Sequence, residues 1–104
     1  MEEKKIVWTK KATVQLFSIM DYYAARNKSD VYPLKLESEI KRKLKMLDFT
    51  ITLPQKTSVP NLFYFTYNHI SVFFTIENNG LTIKIILDDR RNPKSIQLLL
   101  NTTD

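Results

Sequence analysis

The hydrophobic period of the chain changes near its middle, and this change limits the folds that the chain can adopt. From residue 9 to residue 47, apolar side chains recur every three or four positions, which is the spacing of amphipathic helices. From residue 62 to residue 87, the pattern has the period of two that is typical of strands. A helical half followed by a strand-rich half predicts an α+β domain with a mostly antiparallel sheet.

The helical half contains two predicted helices joined by a short polar turn. A first short β-prone run, residues 5–8, precedes Thr9, which is a suitable N-cap for the first helix. Ser29 or Asp30 can cap the second helix, and Pro33 is tolerated in its first turn. The two apolar stripes are Ala12, Leu16, Ile19 and Tyr23, then Leu36, Ile40, Leu44 and Leu47. Favourable i,i+4 ion pairs are predicted for Glu37 with Lys41 and for Glu39 with Lys43.

The second half of the sequence predicts three strands followed by a short helix. The predicted strands are residues 62–67, 70–77 and 81–87, after a connection over 49–61 that contains Pro54 and Pro60. A tight turn is predicted at Asn68-His69, and the loop 78–80 supplies the positive-φ residues that a hairpin needs. Residues 94–100 are predicted to form one or two helical turns. The expected order is β-α-α-β-β-β, with a helical hairpin on the sheet and a short C-terminal helix.

Strict alternation assigns two different faces to the predicted sheet. One face should cover the helices, and it consists of Ile70, Val72, Phe74 and Ile76 with Leu81, Ile83, Ile85 and Leu87. The other face is also apolar, because it holds Phe63, Phe65, Phe73 and Ile86. Either the connection around Phe49 and the C-terminal Ile96-Leu98-Leu99 segment buries this second face, or it is a docking surface for a partner chain.

Composition excludes several classes of function. The 104 residues have room for a single domain, 1–104, with no cysteine, one histidine and one glycine. Thiolate or histidine-rich metal sites and Gly-rich phosphate loops are therefore excluded, and no cofactor is expected. The net charge of +5 favours contact with nucleic acid or an acidic protein. No signal sequence or membrane-spanning run is apparent, so we expect a cytoplasmic protein that does not bind a membrane.

Several segments together resemble one known family. They are Ile6-Val7-Trp8-Thr9 with Ala12 and Leu16, the helix containing Ile40, Leu44 and Leu47, the hairpin 70–87, and the closing run Asp88-Asp89-Arg90-Arg91-Asn92-Pro93. In this order the chain resembles the RelE/ParE superfamily, the toxins of bacterial type II toxin–antitoxin and plasmid-stabilisation systems. The final run is similar to the Asp-x-Arg-x-Asn-Pro ending of many ParE-like members. The resemblance implies a helical hairpin on a curved antiparallel sheet and a cognate antitoxin as partner.

The family resemblance leaves the cellular target open. ParE-like members inhibit DNA gyrase, whereas RelE-like members cleave mRNA on the ribosome with a cluster of cationic side chains. Many members have an arginine near the start of the third strand, where this chain has Ser71. The serine argues against nuclease activity. The leading prediction is therefore a growth-inhibiting toxin acting on gyrase, with a ribosome-dependent mRNA endonuclease or an inactive protein-binding module as alternatives.

Candidate binding residues follow from charge and from the apolar second face. The predicted target-binding residues are Arg90, Arg91, Lys94, Lys56 and His69. The predicted antitoxin-binding residues are Phe63, Phe65, Phe73 and Ile86, a face that would equally serve a homodimer. Simpler roles compete: the arginines would pair with Asp88 and Asp89, and a turn histidine is usually solvated. Those two aspartates should point to opposite faces, so they are poor candidates for an acid/base dyad.

Overall fold

The computed structural model describes residues 5–48, 54–78 and 80–100 of the chain. The elements in order are β1 (Lys5–Trp8), α1 (Lys10–Asn27), α2 (Val31–Met46), β2 (Gln55–Lys56), β3 (Phe63–Tyr67), β4 (Ile70–Glu77), β5 (Gly80–Asp88) and α3 (Pro93–Leu100). The predicted order is confirmed with one addition, β2. That strand has only two residues, too few to produce a period in the sequence. Phe49, expected to help bury the second face, lies outside the described residues.

The sheet has five strands in the order β1-β5-β4-β3-β2. β1 runs parallel to β5, and the other neighbouring pairs are antiparallel. The two long helices pack on one face of it. Their buried residues include seven of the eight predicted stripe positions, Ala12, Leu16, Ile19, Tyr23, Leu36, Ile40 and Leu44. The eighth, Leu47, is partly buried at the C-cap of α2, and Pro33 is an additional buried residue. The helix-side core is therefore the one that the helical period predicts.

The ends of the two helices use local hydrogen bonds. Thr9 caps α1, because its hydroxyl accepts from the Ala12 N–H at 3.1 Å. Before α2, the Ser29 hydroxyl accepts from the Val31 N–H at 3.1 Å, while Asp30, at the N-cap position, makes no side-chain capping bond. Lys28 ends α1 in the left-handed conformation, with φ of 53°.

One of the two predicted ion pairs on α2 is present. Lys41 Nζ lies 3.0 Å from Glu37 Oε2, as predicted. The pairing of Glu39 with Lys43 is wrong, because Glu39 instead accepts from the Arg42 guanidinium at 2.8 Å. The Lys43 ammonium lies over the Phe65 ring, 5.9 Å from its centroid.

A bulge in β5 overturns the predicted face assignment of that strand. Phe73 pairs with Ile85 while Phe74 pairs with Ile83, so Lys84 is an extra residue in β5. One inserted residue moves every later side chain to the other face. The residues on the helix face are consequently Leu81 and Ile83 before the bulge, then Ile86 and Asp88 after it. The prediction that Ile85 and Leu87 face the helices is wrong for this reason.

The four residues predicted to form the second apolar face do not share a face. Phe63 pairs with Phe74 and Phe65 with Val72, and residues paired across strands project to the same side of a sheet. Phe74, Val72 and Ile86 belong to the core under the helices, and Phe63 and Phe65 pack against it. Phe73 alone of the predicted four is on the opposite face.

The opposite face is buried at its centre. Phe73 is 0% exposed, and its ring stacks on Tyr64 at 5.7 Å between centroids. α3 is attached to the β2–β3 connection, since the Ser58 N–H donates to the Leu99 carbonyl at 2.7 Å. Ile96 of α3 is buried, whereas Leu98 is exposed. Phe73 is therefore buried within this chain and is not part of an exposed docking surface.

The turns between β3 and β4 and between β4 and β5 each contain an asparagine with a positive φ. Asn68 has φ of 54° in the predicted two-residue turn at 68–69. Asn78 has φ of 40° in the next turn, whereas Gly80 does not have a positive φ. Gly80 pairs with Glu77 and already belongs to β5. The loop 78–80 thus supplies a positive φ, as predicted, but at Asn78 and not at Gly80.

Candidate functional site

A chain of hydrogen bonds joins both long helices to the sheet at the end of β5. The Tyr23 hydroxyl of α1 donates to Asp88 Oδ2 at 2.7 Å. His69 Nδ1 lies 3.0 Å from Asp88 Oδ1, and His69 Nε2 lies 2.8 Å from the Tyr32 hydroxyl of α2. We call Tyr23, Tyr32, His69 and Asp88 the Asp88 network. The backbone N–H of Arg90 donates a further hydrogen bond to the Asp88 carboxylate, at 2.9 Å from Oδ1.

Strand register brings the histidine and the aspartate together. His69 occupies the turn between β3 and β4, and the next residue, Ile70, pairs with Asp88 on β5. The Asp89 N–H also donates to the His69 carbonyl at 2.7 Å, which fixes the turn beside the strand end. The side chain of Asp88 is fully buried, and that of His69 is 10% exposed. The interpretation of His69 as a solvated turn residue is therefore wrong.

The carboxylate of Asp88 remains ionised at neutral pH. Burial by itself raises the pKa of Asp88, but hydrogen bonds from Tyr23, the Arg90 backbone and His69 outweigh it and hold the pKa below its ordinary value of 3.8. An ionised carboxylate has no proton to donate, so His69 Nδ1 must carry the hydrogen that the two groups share. In neutral His69, Nε2 is then an acceptor, and the Tyr32 hydroxyl donates to it.

Tyr23 is the proton donor at the other end of the network. Burial raises the pKa of Tyr23 to about 12, together with the hydrogen bond to Asp88 and the negative charge of that carboxylate. A tyrosinate at position 23 would have to lie beside an ionised carboxylate. The Tyr23 hydroxyl therefore stays protonated wherever the protein is folded at ordinary pH.

The Tyr23 hydroxyl gives a prediction for alkaline solution. Because the pKa of Tyr23 is about 12 in the folded state against an ordinary 10.0, its contribution to stability is complete below pH 10 and is lost between pH 10 and pH 12. We expect stability to fall by about 3 kcal/mol over this range through Tyr23 alone. Denaturant unfolding at several pH values measures it, and Tyr23→Phe should be less sensitive to pH. Equal slopes for both proteins would contradict the prediction.

Cationic side chains border the Asp88 network on the surface. The Arg91 guanidinium lies 4.1 Å from the centroid of the Tyr22 ring, and the Tyr22 hydroxyl accepts from Arg26 Nη1 at 3.1 Å. The ring of Tyr22 lies 4.8 Å from that of Tyr23. We call Arg26, Arg90 and Arg91, with Tyr22, the basic rim. Stacking on a ring leaves the in-plane N–H groups of a guanidinium open to an anion.

The structure brings some of the predicted target-binding residues together. His69, Arg90 and Arg91 lie at one corner, and Lys94 follows in the first turn of α3. Lys56 does not join them, because it pairs with Phe63 at the other end of β3 from the 68–69 turn. Within residues 5–48, 54–78 and 80–100, no ion pair joins Arg90 or Arg91 to a neighbouring aspartate.

Asp88 and Asp89 point to opposite faces, as predicted. The Ser71 hydroxyl donates to Asp89 Oδ1 at 2.7 Å, away from the Tyr23 side of Asp88. Ser71 is 1% exposed, so position 71 offers neither a charge nor an exposed hydroxyl. The described part of the chain holds no group of three or more His, Cys, Asp or Glu residues arranged for a metal. None of its helices is long and apolar enough to cross a membrane.

Sequence reasoning missed the two tyrosines that complete the site. Tyr32 and Tyr22 lie beside apolar stripe positions, and their hydroxyls make contacts that no local motif indicates. The prediction that Tyr23 is a core residue is confirmed, at 6% exposure, but the sequence does not indicate the partner of its hydroxyl. A buried tyrosine usually needs a hydrogen-bond partner, and this rule was the one available signal.

The order of elements, the mixed five-stranded sheet and the helix pair give the chain a ParE-like fold. The chain is similar to a solved chain described as the "Chromosomal ParDE TA system from P. aeruginosa", with a TM-score of 0.68 and 22% sequence identity. The match covers 83% of this chain and 96% of that chain. No protein-family model and no curated protein matches the sequence.

Proposed function

We propose that this protein is the toxin of a bacterial type II toxin–antitoxin pair, with DNA gyrase as its target and a cognate antitoxin as its inhibitor. The observation that carries the proposal is the similarity in fold to a chain of a ParDE system over 83% of this chain. That similarity spans nearly the whole of the other chain, so it concerns a complete domain rather than a shared motif.

The target would contact the basic rim and the start of α3. Arg90, Arg91 and Lys94 are exposed there, and Tyr22 is 36% exposed between two guanidinium groups. Exposed cations beside an aromatic ring suit an anionic surface, and the net charge of +5 assists the approach to it. Lys56 would belong to a separate contact.

The antitoxin would contact Phe63 and Phe65 on β3. Both rings are half-buried, so a partner that covers β3 would bury the remaining apolar surface. Phe73 and Ile86 are 0% and 1% exposed, so neither would touch the partner, and Phe73 lies on the opposite face of the sheet from Phe63 and Phe65.

A ribosome-dependent mRNA endonuclease is the second candidate, and the pairing of His69 with Asp88 favours it. An imidazole oriented by an ionised carboxylate is suited to accept a proton, and arginines nearby would stabilise charge on a phosphate. Against this candidate, His69 Nε2 is bonded to Tyr32, and Ser71 replaces the expected cation with a buried neutral group.

Induced expression in a bacterium without the antitoxin tests the proposal. We expect growth arrest with altered nucleoids and intact transcripts, together with inhibition of supercoiling by purified gyrase. Arg91→Ala should relieve the arrest, whereas Arg42→Ala should not, since that exposed arginine pairs with Glu39 on α2. Full supercoiling at excess protein would exclude gyrase, and cleaved transcripts would favour the endonuclease. Soluble, folded protein without any arrest would leave an inactive binding module.

A further inference from the structure

The basic rim brings two guanidinium groups to one tyrosine ring. Arg91 Cζ lies 4.1 Å from the centroid of the Tyr22 ring, and Arg26 Nη1 donates to the Tyr22 hydroxyl at 3.1 Å. Within the part of the chain that the structure describes, neither guanidinium forms an ion pair with a carboxylate. Two like charges held at one ring repel each other, and an anion bound by both would offset this repulsion.

Both guanidinium groups keep hydrogen-bond donors for such an anion. A guanidinium has five N–H groups, and Arg26 donates to the Tyr22 hydroxyl from Nη1. The stacking of Arg91 on the ring leaves its in-plane N–H groups open. Both arginine side chains are exposed, so an anion can reach these donors from solution.

The backbone that carries Arg90 and Arg91 is fixed by Asp88. The Asp88 carboxylate accepts from the Arg90 N–H at 2.9 Å, and the Asp88 carbonyl accepts from the Arg91 N–H at 3.0 Å. The carboxylate is fully buried and is also bonded to Tyr23 and His69. The turn after β5 is therefore held in place before a ligand binds, which reduces the entropy that binding costs.

The directions of the two guanidinium groups favour a phosphate over a carboxylate. Arg91 approaches the face of the Tyr22 ring, whereas Arg26 approaches its hydroxyl, so their donors do not share a plane. A tetrahedral phosphate has oxygens in more than one plane, whereas a planar carboxylate matches a single guanidinium fork. Arg90 and Lys94 are exposed on the same segment of chain and suit an anion with several charges.

The rim does not offer a free ring on which a nucleic-acid base could stack. Arg91 occupies one face of Tyr22, and the Tyr22 ring contacts that of Tyr23 at 4.8 Å, nearly at a right angle. Single strands are bound largely by stacking of their bases on aromatic rings, whereas a duplex presents its phosphates outward. The rim therefore suits the backbone of a duplex.

We propose that the basic rim binds the phosphate backbone of duplex DNA, independently of base sequence. Arg26 and Arg91 hold one phosphate beside Tyr22, and Arg90 and Lys94 contact neighbouring phosphates. This inference rests on the proposed function, because it names the anionic surface that the rim meets as the DNA on which gyrase acts.

Purified full-length protein and a short fluorescein-labelled DNA duplex of mixed sequence test the site by fluorescence anisotropy. Over about 50 to 200 mM KCl, we expect the logarithm of the binding constant to fall linearly with the logarithm of the salt concentration. A slope of about −3 is expected for three or four neutralised phosphates. A lack of binding, or binding that salt does not weaken, would overturn the proposal. Tighter binding of polyglutamate than of the duplex would also overturn it, in favour of an acidic protein.

Arg91→Gln and Arg42→Gln form a matched pair of variants. Each removes one exposed arginine, but Arg42 lies on α2 and pairs with Glu39. We expect Arg91→Gln to weaken duplex binding about tenfold and to reduce the salt slope by about 1, with Arg42→Gln within about twofold of wild type. Arg91→Lys should restore only part of the affinity, because it keeps the charge without the paired donors. Equal losses in the two glutamine variants would show that net charge determines the binding, and would overturn the proposal.

The failure of this inference can be distinguished from the failure of the proposed function, because the titrations contain no gyrase. Duplex binding without growth arrest or inhibited supercoiling would contradict the toxin function alone. Arrest and inhibited supercoiling by a protein that does not bind the duplex would contradict this inference alone.

Discussion

Asparagine in place of Asp88 is expected to lower the free energy of unfolding by about 3 kcal/mol. The carboxylate accepts hydrogen bonds from the Tyr23 hydroxyl, His69 Nδ1 and the Arg90 backbone N–H. An amide side chain has an NH₂ group where one of the carboxylate oxygens was, so it would direct donor hydrogens at another donor. At 0% exposure, water cannot replace the lost bond.

The neighbouring residue provides a matched control for this substitution. Asp89→Asn removes the same charge one residue later, but its amide oxygen can still accept from the Ser71 hydroxyl. We expect it to cost less than about 1 kcal/mol. Urea unfolding at neutral pH compares the two variants. Similar losses for both would mean that net charge, rather than the Asp88 network, determines the effect.

The acid dependence of stability should distinguish the wild type from Asp88→Asn. The pKa of Asp88 lies below 3.8 in the folded state, so its contribution is present above pH 3.8 and is lost as the pH falls through the folded value. The wild type should therefore lose more stability below pH 4 than Asp88→Asn does. The difference between the two unfolding free energies should narrow as the solution becomes more acidic.

The helical half of the fold could be predicted in detail from the sequence because its determinants are local. The two stripes, which include Leu16 on α1 and Ile40 on α2, set the buried faces, and Thr9 caps α1 through a hydrogen bond to a residue three positions away. Each of these features lies within one or two helical turns of the chain. A period of three or four residues and a capping side chain therefore indicate the buried faces of the helices and the start of α1.

The faces of β5 could not be predicted, because they depend on a bulge. Lys84 is inserted opposite β4, and the register changes between Phe73 and Phe74. A lysine in a strand does not indicate a bulge. A prediction that assumes strict alternation of the two faces has no place for an extra residue. The Ile86 N–H is bonded to Gln15 of α1 at 2.8 Å, beyond the end of the β1 ladder. The contact with α1 thus provides a hydrogen-bond acceptor for the Ile86 N–H of β5, and the sequence pattern does not indicate this contact.

The candidate site was predicted only in part, for a related reason. The charge of the run 88–93 indicates Arg90 and Arg91 as candidates, and the chemistry of its imidazole indicates His69. Its partner Asp88 is 19 residues away and its partner Tyr32 is 37 residues away. Only the pairing of β4 with β5 and the packing of α2 on the sheet bring these groups within hydrogen-bond distance. No spacing rule in a single sequence contains that information.

Alanine in place of Gly80 is expected to cost about 3 kcal/mol and to detach β1 from the sheet. Gly80 pairs with Lys5 at the start of the parallel β1–β5 ladder. A Cβ built on Gly80 would overlap the Lys5 carbonyl oxygen and lie 2.9 Å from the carbonyl carbon. These are backbone atoms, so no change of side-chain rotamer relieves the overlap. Close approach of two strands, and not a positive φ, is the reason for glycine here.

Hydrogen exchange at β1 measures the detachment directly, and Thr82→Ala is the matched control. Thr82 lies two residues further along β5, pairs with Val7 and already carries a Cβ, so its truncation adds no atom to the ladder. We expect the amides of β1 to exchange faster in Gly80→Ala and to remain protected in Thr82→Ala. If Gly80→Ala kept wild-type protection in β1, the strand would have room to move aside. The parallel pairing would then contribute little, since β1 has no second strand neighbour in the described sheet.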